Sequence, residues 1–337
     1  MSSFAVLVRQ IQVFPHPNAD LLELAKVDEY RCVVKKGELK SGDLAAYIPE
    51  ASLVPPPLLE EMKLTGRLAG PEKNRVKAVK LRGEVSQGLV LRARPRWKEG
   101  DDVTAELGIT KWFPPVPVHM SGDPEPAPPG WHGYTEIEDL KRFPSVLIPG
   151  EEVVATEKVH GTCTLLALLG GRRAMSSKGY GAAHKAIKDD GKNLHWRIAR
   201  KFQLFEKLEG LGDVMLYGET FGAGVQDLDY GAPRGEPAYA AFDIGMGGRY
   251  LDYDDFERVC TERGIPTVPV LYRGPFGAEC LALTTGRETV SSRGSHLREG
   301  IVIRPVRERH DAAIGRVILK SVSADYLLRG GEATEHE

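Results

Sequence analysis

Val153 to Gly170 reads VVATEKVHGTCTLLALLG, and the reading of this stretch decides the fold of the larger part of the chain. Its two apolar runs, VVATEKV and TLLALLG, have strand length and β-branched content and flank a polar turn, so each reads as a β-strand. The turn carries Lys158, His160 and Gly161 directly after the first strand. Further strand candidates follow in DVMLYGE, AYAAFDI, GIVIRP and RVILK. Helical patterns lie between them. His195 to Glu209, HWRIARKFQLFEKLE, sets Ile198, Phe202, Phe205 and Leu208 at helical spacing, and its phenylalanines read as core anchors. A second helix is predicted to begin after Tyr253, with Asp254 as its cap, and to end before Gly264. This order predicts an α+β domain rich in antiparallel sheet, not the strand-helix alternation of a dinucleotide fold. The glycine spacing also lacks a GxxxxGKS/T phosphate loop.

Upstream, Pro114 to Gly130 reads PPVPVHMSGDPEPAPPG, with seven prolines in 17 residues. Such a segment cannot supply a continuous sheet ladder and predicts a stiff, extended connection. The chain therefore divides into an early domain over 1–115, a linker over 116–130, a second domain over 131–330 and a frayed tail over 331–337. Before the linker, FAVLVRQIQVF, LLELAKV, YRCVVKKG, DLAAYIP, VKAVKLRG and QGLVLRA alternate with turn signals. Five or six short strands predict a small barrel, with an OB-like β-barrel favoured because a basic stretch overlaps its later strands; an SH3-like barrel has the same periodicity.

With 42% hydrophobic and 27% charged residues in 337, the composition excludes wholesale disorder, collagen and coiled coil. No apolar run reaches the ~18 residues of a membrane span, and MSSFAVLVRQ lacks a basic leader, so no membrane partner is expected. Cys32, Cys163, Cys260 and Cys280 are widely spaced and form no CxxC, which favours a reducing cytoplasm. The net charge of -2 hides two basic bands. Lys63 to Lys98 holds eleven Lys or Arg against Glu72 and Glu84, and Arg172 to Lys207 holds ten against Asp189, Asp190 and Glu206. Two such bands in a chain with no net positive charge fit a polyanion track, without distinguishing RNA from DNA.

The chemistry sits at strand ends. A lone lysine is ordinarily solvated, but Lys158 has company: LYGE ends at Glu219, AFD brings Phe242 and Asp243, REGIVIRP supplies Glu299, and VILK supplies Lys320. Together they offer an amine nucleophile, carboxylates for a metal shell, an aromatic face and a phosphate-binding cation, which are the parts of nucleotidyl transfer. This ordered set resembles the covalent nucleotidyltransferase superfamily of ATP-dependent ligases and RNA-capping enzymes, and more closely the Deinococcus-type RNA ligases. EKVHGT is similar to that family's KxHG motif; SSKG (176–179), LYGETFG, AFDIG, REGIVIR and VILKSVS follow in its order. HPNADLLELAKV, YRCVVKKGELKSGDLAAYIPE and VKAVKLRGEVSQGL resemble its amino-terminal module. That module is also similar to transfer-RNA-binding modules of phenylalanyl-tRNA synthetase.

The resemblance implies a nucleotidyltransferase domain in which Lys158 takes AMP from ATP. It implies that Glu219 and Glu299 arrange ribose or a hydrated Mg2+ or Mn2+, that Phe242 stacks on adenine, and that Lys320 binds the α-phosphate. Many relatives carry a KxK pair at this last motif, whereas Ile318 and Val322 flank Lys320 here. Lys178 is the expected supplement. Glu157 and Gly161 are expected to pack around AMP. His160 stands where many relatives have Asp or Asn and is expected to position AMP or a phosphate, its ordinary pKa lying near the working range. Only 17 residues follow Lys320, too few for the trailing oligonucleotide-binding domain usual in DNA ligases and capping enzymes. The expected activity is therefore ATP-dependent joining of RNA 3'-hydroxyl and 5'-phosphate ends, in a nicked duplex and in RNA repair. A DNA nick ligase and a noncatalytic RNA-binding protein are the alternatives.

Overall fold

The apolar run from Phe4 to Phe14 splits at Ile11, and β1 (Leu7–Gln10) and β2 (Gln12–Pro15) enter different sheets. Ile11 is fully buried, its N–H donating to Asp43 and its carbonyl accepting from Gly42, so its backbone groups are satisfied outside both ladders. The computed structural model describes residues 4–113, 122–233, 235–291, 294 and 296–329. These fall into two units. Of the described residues, one comprises those up to Phe113, Leu140–Pro144 and 327–329; the other comprises those before Leu140 that follow Phe113, and Ser145–Tyr326. Residues 116–121 of the expected linker and the 331–337 tail lie outside the described residues.

The first unit continues with β3 (Leu22–Val27), β4 (Tyr30–Lys35), β5 (Leu44–Ile48), β6 (Ser52–Leu53), α1 (Pro56–Glu61), β7 (Val79–Leu81), β8 (Glu84–Ser86), β9 (Leu89–Arg92) and β10 (Thr110–Lys111). The expected OB-like β-barrel is not closed. Its strands form separate antiparallel sheets, β1-β5-β9, β2-β3-β4, β6-β10 and β7-β8, and no sheet among the described residues closes on itself. The reason lies in β5. Its Ala46 and Ile48 belong to a core with Val6, Val8 and Leu58, whereas Ala45 and Tyr47 belong to a second core with Ala25, Val27 and Cys32. With side chains alternating, both faces of β5 are buried and two cores are served at once. Hydrophobic periodicity identifies such a strand but not its ladder partner, which closure requires.

The second unit contains β11 (Pro124–Pro126), β12 (Glu138–Asp139), β13 (Glu152–Lys158), β14 (Thr162–Leu169), β15 (Arg172–Ser177), α2 (Lys178–Ala182), β16 (Lys185–Ile187), α3 (Leu194–Lys201), α4 (Leu204–Leu208), β17 (Val214–Phe221), β18 (Ala238–Met246) and β19 (Arg249–Tyr250). After these come α5 (Tyr253–Arg263), β20 (Val270–Pro275), α6 (Ala278–Ala282), β21 (Gly300–Pro305), β22 (His310–Asp311), β23 (Gly315–Arg316) and β24 (Leu319–Val322), with α7 (Ala324–Leu327) last. Two five-stranded sheets dominate, in the orders β12-β24-β21-β13-β20 and β15-β14-β17-β18-β19. All their pairs are antiparallel except β12 with β24. The short pair of β11 with β16 shows that part of the proline-rich stretch does pair, on a two-stranded edge where a missing donor is tolerated.

Two helix expectations are corrected. The run from His195 to Glu209 is not one helix: Gln203 adopts φ 52, which ends α3 and starts α4. Ile198, Phe205 and Leu208 are buried nonetheless, because both pieces pack on one core with Leu166, Leu216 and Phe256. The N-cap of α5 is Asp252 rather than Asp254. Asp252 accepts from the Glu308 N–H, while Asp254 sits in the first turn and pairs with Arg273.

Asp243, expected among the metal-shell carboxylates, is fully buried on β18 and ties three strands together. Its carboxylate lies 2.8 Å from Arg304 of β21 and 2.6 Å from Arg316 of β23, and accepts from the Tyr134 hydroxyl at 2.9 Å. Burial alone would raise this carboxyl, but the two guanidinium groups outweigh it and hold the pKa below the ordinary value. Removing one partner of such a buried cluster costs about 3 to 5 kcal/mol, because charge is left uncompensated. Asp243→Ala should therefore lower the denaturant midpoint strongly. A depressed folded pKa means the contribution is present above the unfolded value of about 3.9 and is lost as pH falls through the lower folded value. The stability gap between the native chain and Asp243→Asn should accordingly persist at neutral pH and close only in acid below about pH 4.

Candidate active site

Two glycines bring the reactive strand ends together. A Cβ on Gly161 would collide with the Thr220 carbonyl oxygen, and one on Gly300 with that of Ser321. Without them, the turn after β13 settles against β17, and β21 against β24. The ladders then fix register: Lys158 lies opposite Gly300, Cys163 opposite Glu219, and Val302 opposite Lys320. As a result Glu157, Lys158, His160, Gly161, Lys178, Glu219, Phe242, Glu299 and Lys320 all line one cavity. Tyr134, Glu136 and Arg304 line it as well and were not anticipated, since nothing in their local spacing sets them apart.

Lys158 forms an ion pair with Glu299, which is fully buried while the lysine side chain stays about 20% exposed. Lys178, at the start of α2, pairs with Glu136 at 3.0 Å. Lys178 and Lys320 thus share a cavity wall, whereas Ile318 contributes an apolar lining and Val322 is buried. Phe242 is half-buried, with the Tyr134 ring edge-on at 5.0 Å, and Val154, Val268, Val302 and Ile318 line the cavity with it. That combination suits a flat, apolar-faced ring. Glu157 is held deeper: its Oε2 accepts from the Thr289 N–H at 2.8 Å and from the Thr289 hydroxyl at 2.6 Å, with Arg298 at 3.7 Å. The side chain therefore anchors a distant loop to β13, a role beyond the backbone contacts and packing expected of it. His160, 2% exposed, contacts Asp227, Tyr230 and Tyr326, none of them visible as partners in the sequence.

Desolvation pushes the Glu219 carboxyl up to about 8, against the pull of the Lys158 ammonium and with the Glu299 charge adding to the rise. Among the described residues no group of three or more His, Cys, Asp or Glu is placed to hold a metal. Two carboxylates in a cavity shared with lysines fit a hydrated Mg2+ or Mn2+ that keeps most of its waters, not an ion caged by protein alone.

The RNA ligase family profile matches residues 151–322, which contain Lys158, Glu219, Phe242, Glu299 and Lys320. The chain belongs to the RNA ligase family. An OB-fold domain profile matches residues 5–93, so the early unit of this ligase is of OB type in sequence although its sheets do not close. Among solved structures, a Naegleria gruberi RNA ligase with PPi is 25% identical over 96% of this chain and 97% of its own, with a TM-score of 0.82. A variant of that enzyme with ATP and Mn is 25% identical, covering 96% and 98%, also at 0.82. Another variant, with AMP and Mn, reaches 0.83 at 24% identity over 96% and 98%. No curated protein matches the chain significantly.

Gly161→Ala tests whether close approach at the turn is required in this ligase. Overpacking of this kind costs typically about 1 to 3 kcal/mol. The variant should melt earlier than the native chain, and a melting temperature unchanged within error would show that the turn has room.

Proposed function

We propose that this chain is an ATP-dependent RNA ligase that seals 3'-hydroxyl/5'-phosphate nicks in RNA-containing duplexes during RNA repair, in a reducing, cytoplasmic setting, and that it is of the Deinococcus type. The observation that carries the reading is the one cavity in which Lys158, two further lysines, four carboxylates (Glu136, Glu157, Glu219 and Glu299) and Phe242 converge. His160 after the nucleophile, within KVHG, supports the subfamily. The four cysteines are buried and unbridged, which suits a reducing compartment.

The chemistry follows from these groups. An ordinary lysine, with a pKa of about 10.4, is protonated near neutrality, so the Lys158 proton must leave before attack, and Glu299 is the carboxylate at that amine. Neutral Nζ attacks the α-phosphorus of ATP; a P–N bond forms, the bond to the departing pyrophosphate breaks, and lysyl-AMP remains. The AMP passes to an RNA 5'-phosphate, restoring the lysine. The 3'-hydroxyl then attacks the activated phosphate and AMP departs, leaving a phosphodiester. Lys320 and Lys178 would hold the α-phosphate by charge-assisted bonds, and Phe242 would stack on adenine. Glu219 and Glu299 would hold a hydrated Mg2+ or Mn2+, which neutralises triphosphate charge when bound.

Labelled ATP with a divalent metal should add one adenylyl group per chain by intact mass, absent from Lys158→Ala. Matched nicked duplexes differing only in the terminal ribose should then be sealed when the 3' nucleotide is ribose. A preference for deoxyribose would indicate a DNA nick ligase, and failure to form covalent AMP a noncatalytic RNA-binding protein. Adenylylation undiminished in Lys158→Ala would reject the nucleophile.

The early unit, with its Lys63 to Lys98 band, is proposed to engage the polynucleotide. A soluble chain beginning near Gly130 should self-adenylylate but lose efficient nick sealing, because sealing alone needs both strand ends aligned. Added salt should weaken duplex binding of the full chain more steeply than that of the shortened one. Equal sealing by a folded shortened chain at subsaturating nick, across the salt series, would overturn this role.

A further inference from the structure

The segment Gln226–Tyr230, which follows β17, reaches back over the turn that follows Lys158. Gln226 Nε2 donates to the Gly161 carbonyl at 3.2 Å, the His160 N–H donates to the Tyr230 hydroxyl oxygen at 2.6 Å, and Asp227 Oδ1 lies 2.7 Å from His160 Nε2. Across the ring, His160 Nδ1 lies 2.9 Å from the Tyr326 hydroxyl and 3.4 Å from Glu299 Oε2. The other Glu299 oxygen pairs with Lys158. Imidazole is planar and rigid, so whatever holds Nε2 also directs Nδ1. A chain of contacts therefore runs from Asp227 through His160 to Glu299 and the reacting amine.

We propose that Asp227 is a positioning residue for lysine adenylylation: its carboxylate fixes the His160 ring, and the ring in turn holds Glu299 and the Lys158 amine in line for attack. This rests on the adenylylation chemistry given above. Tyr230 and Tyr326 are buried at 4% and 2%, so their loss would damage packing generally. The Asp227 side chain is 43% exposed, and truncating it opens no core cavity. A defect in Asp227→Ala therefore reports orientation of the ring, not collapse of the fold. Asp227→Asn keeps an acceptor oxygen in place and serves as the conservative control.

Single-turnover self-adenylylation of the full chain, measured across ATP concentrations, tests this. Asp227→Ala should slow the saturated rate by about 10- to 100-fold, the range for losing the partner that orients a functional histidine. The half-saturating ATP concentration should move by less than about threefold, and Asp227→Asn should recover most of the rate. In a His160→Ala background, Asp227→Ala should add little further loss, since its effect passes through that ring. A native rate in folded Asp227→Ala, or the same fold-loss in both backgrounds, would overturn the proposal. Absence of lysyl-AMP in the native chain would instead refute the proposed reaction. Nitrogen NMR of the His160 ring judges the contact independently of activity: an Nε2 resonance shifted by Asp227→Ala supports the positioning role, and an unmoved one overturns it.

Discussion

Glu299 is a carboxylate with no solvent exposure, and a buried charge persists only when it is paired. Its pairing with Lys158 draws the end of β13 to the start of β21, and the rest of the catalytic unit is arranged to permit this. Gly300 lets the backbone of β21 approach β24, and Gly161 lets the turn after Lys158 lie against β17. Once those approaches are made, Glu219 and Lys320 are delivered to the same cavity by strand register alone. The site is thus assembled on ladders instead of mobile loops, which favours the precise alignment that phosphoryl transfer needs.

The electrostatics divide into a reactive and a structural part. In the cavity, desolvation first and the Glu299 charge second raise the pKa of Glu219, a strain that a bound cation would relieve. At one side of it, Asp243, Arg304, Arg316, Glu308 and Tyr134 form an ion cluster that pins β18 to β21 and β23. Both basic bands are partly neutralised: in the first, Arg92 pairs with Asp43, Arg94 with Glu61 and Glu106, and Arg96 with Glu106. Arg173 pairs with Glu206 and Glu209, and Arg200 with Asp189, so part of the second band is neutralised within its own unit. In the first band Arg75 lies 4.0 Å from the Trp112 ring centre, a cation-aromatic contact.

Much of the cavity lining was legible because its residues stand at or beside strand ends in a fixed order: all nine candidate residues line one cavity. What was not legible depended on contacts distant in sequence. Asp243 sits one residue from Phe242, yet strand alternation turns it into the interior toward two arginines more than sixty residues away. The partners of His160 come from residues 227, 230 and 326 and share no spacing with KVHG. The break at Gln203 is a backbone event inside an intact apolar pattern, because both helical pieces still reach the same core. The barrel failed for the same reason: β5 reads as an apolar strand whether its faces serve one core or two.

The central claim is that Lys158 is a way-station for AMP between ATP and an RNA end. It is tested most directly by isolating the lysyl-AMP form, stripping it of ATP and pyrophosphate, and mixing it with metal and a labelled nicked duplex ending in a ribose 3'-hydroxyl. The account predicts that the nick is sealed without added ATP, to an extent no greater than the lysyl-AMP supplied, with one AMP released per joint. Lysyl-AMP that persists unchanged beside an unsealed nick, with joining only when ATP is restored, would contradict it.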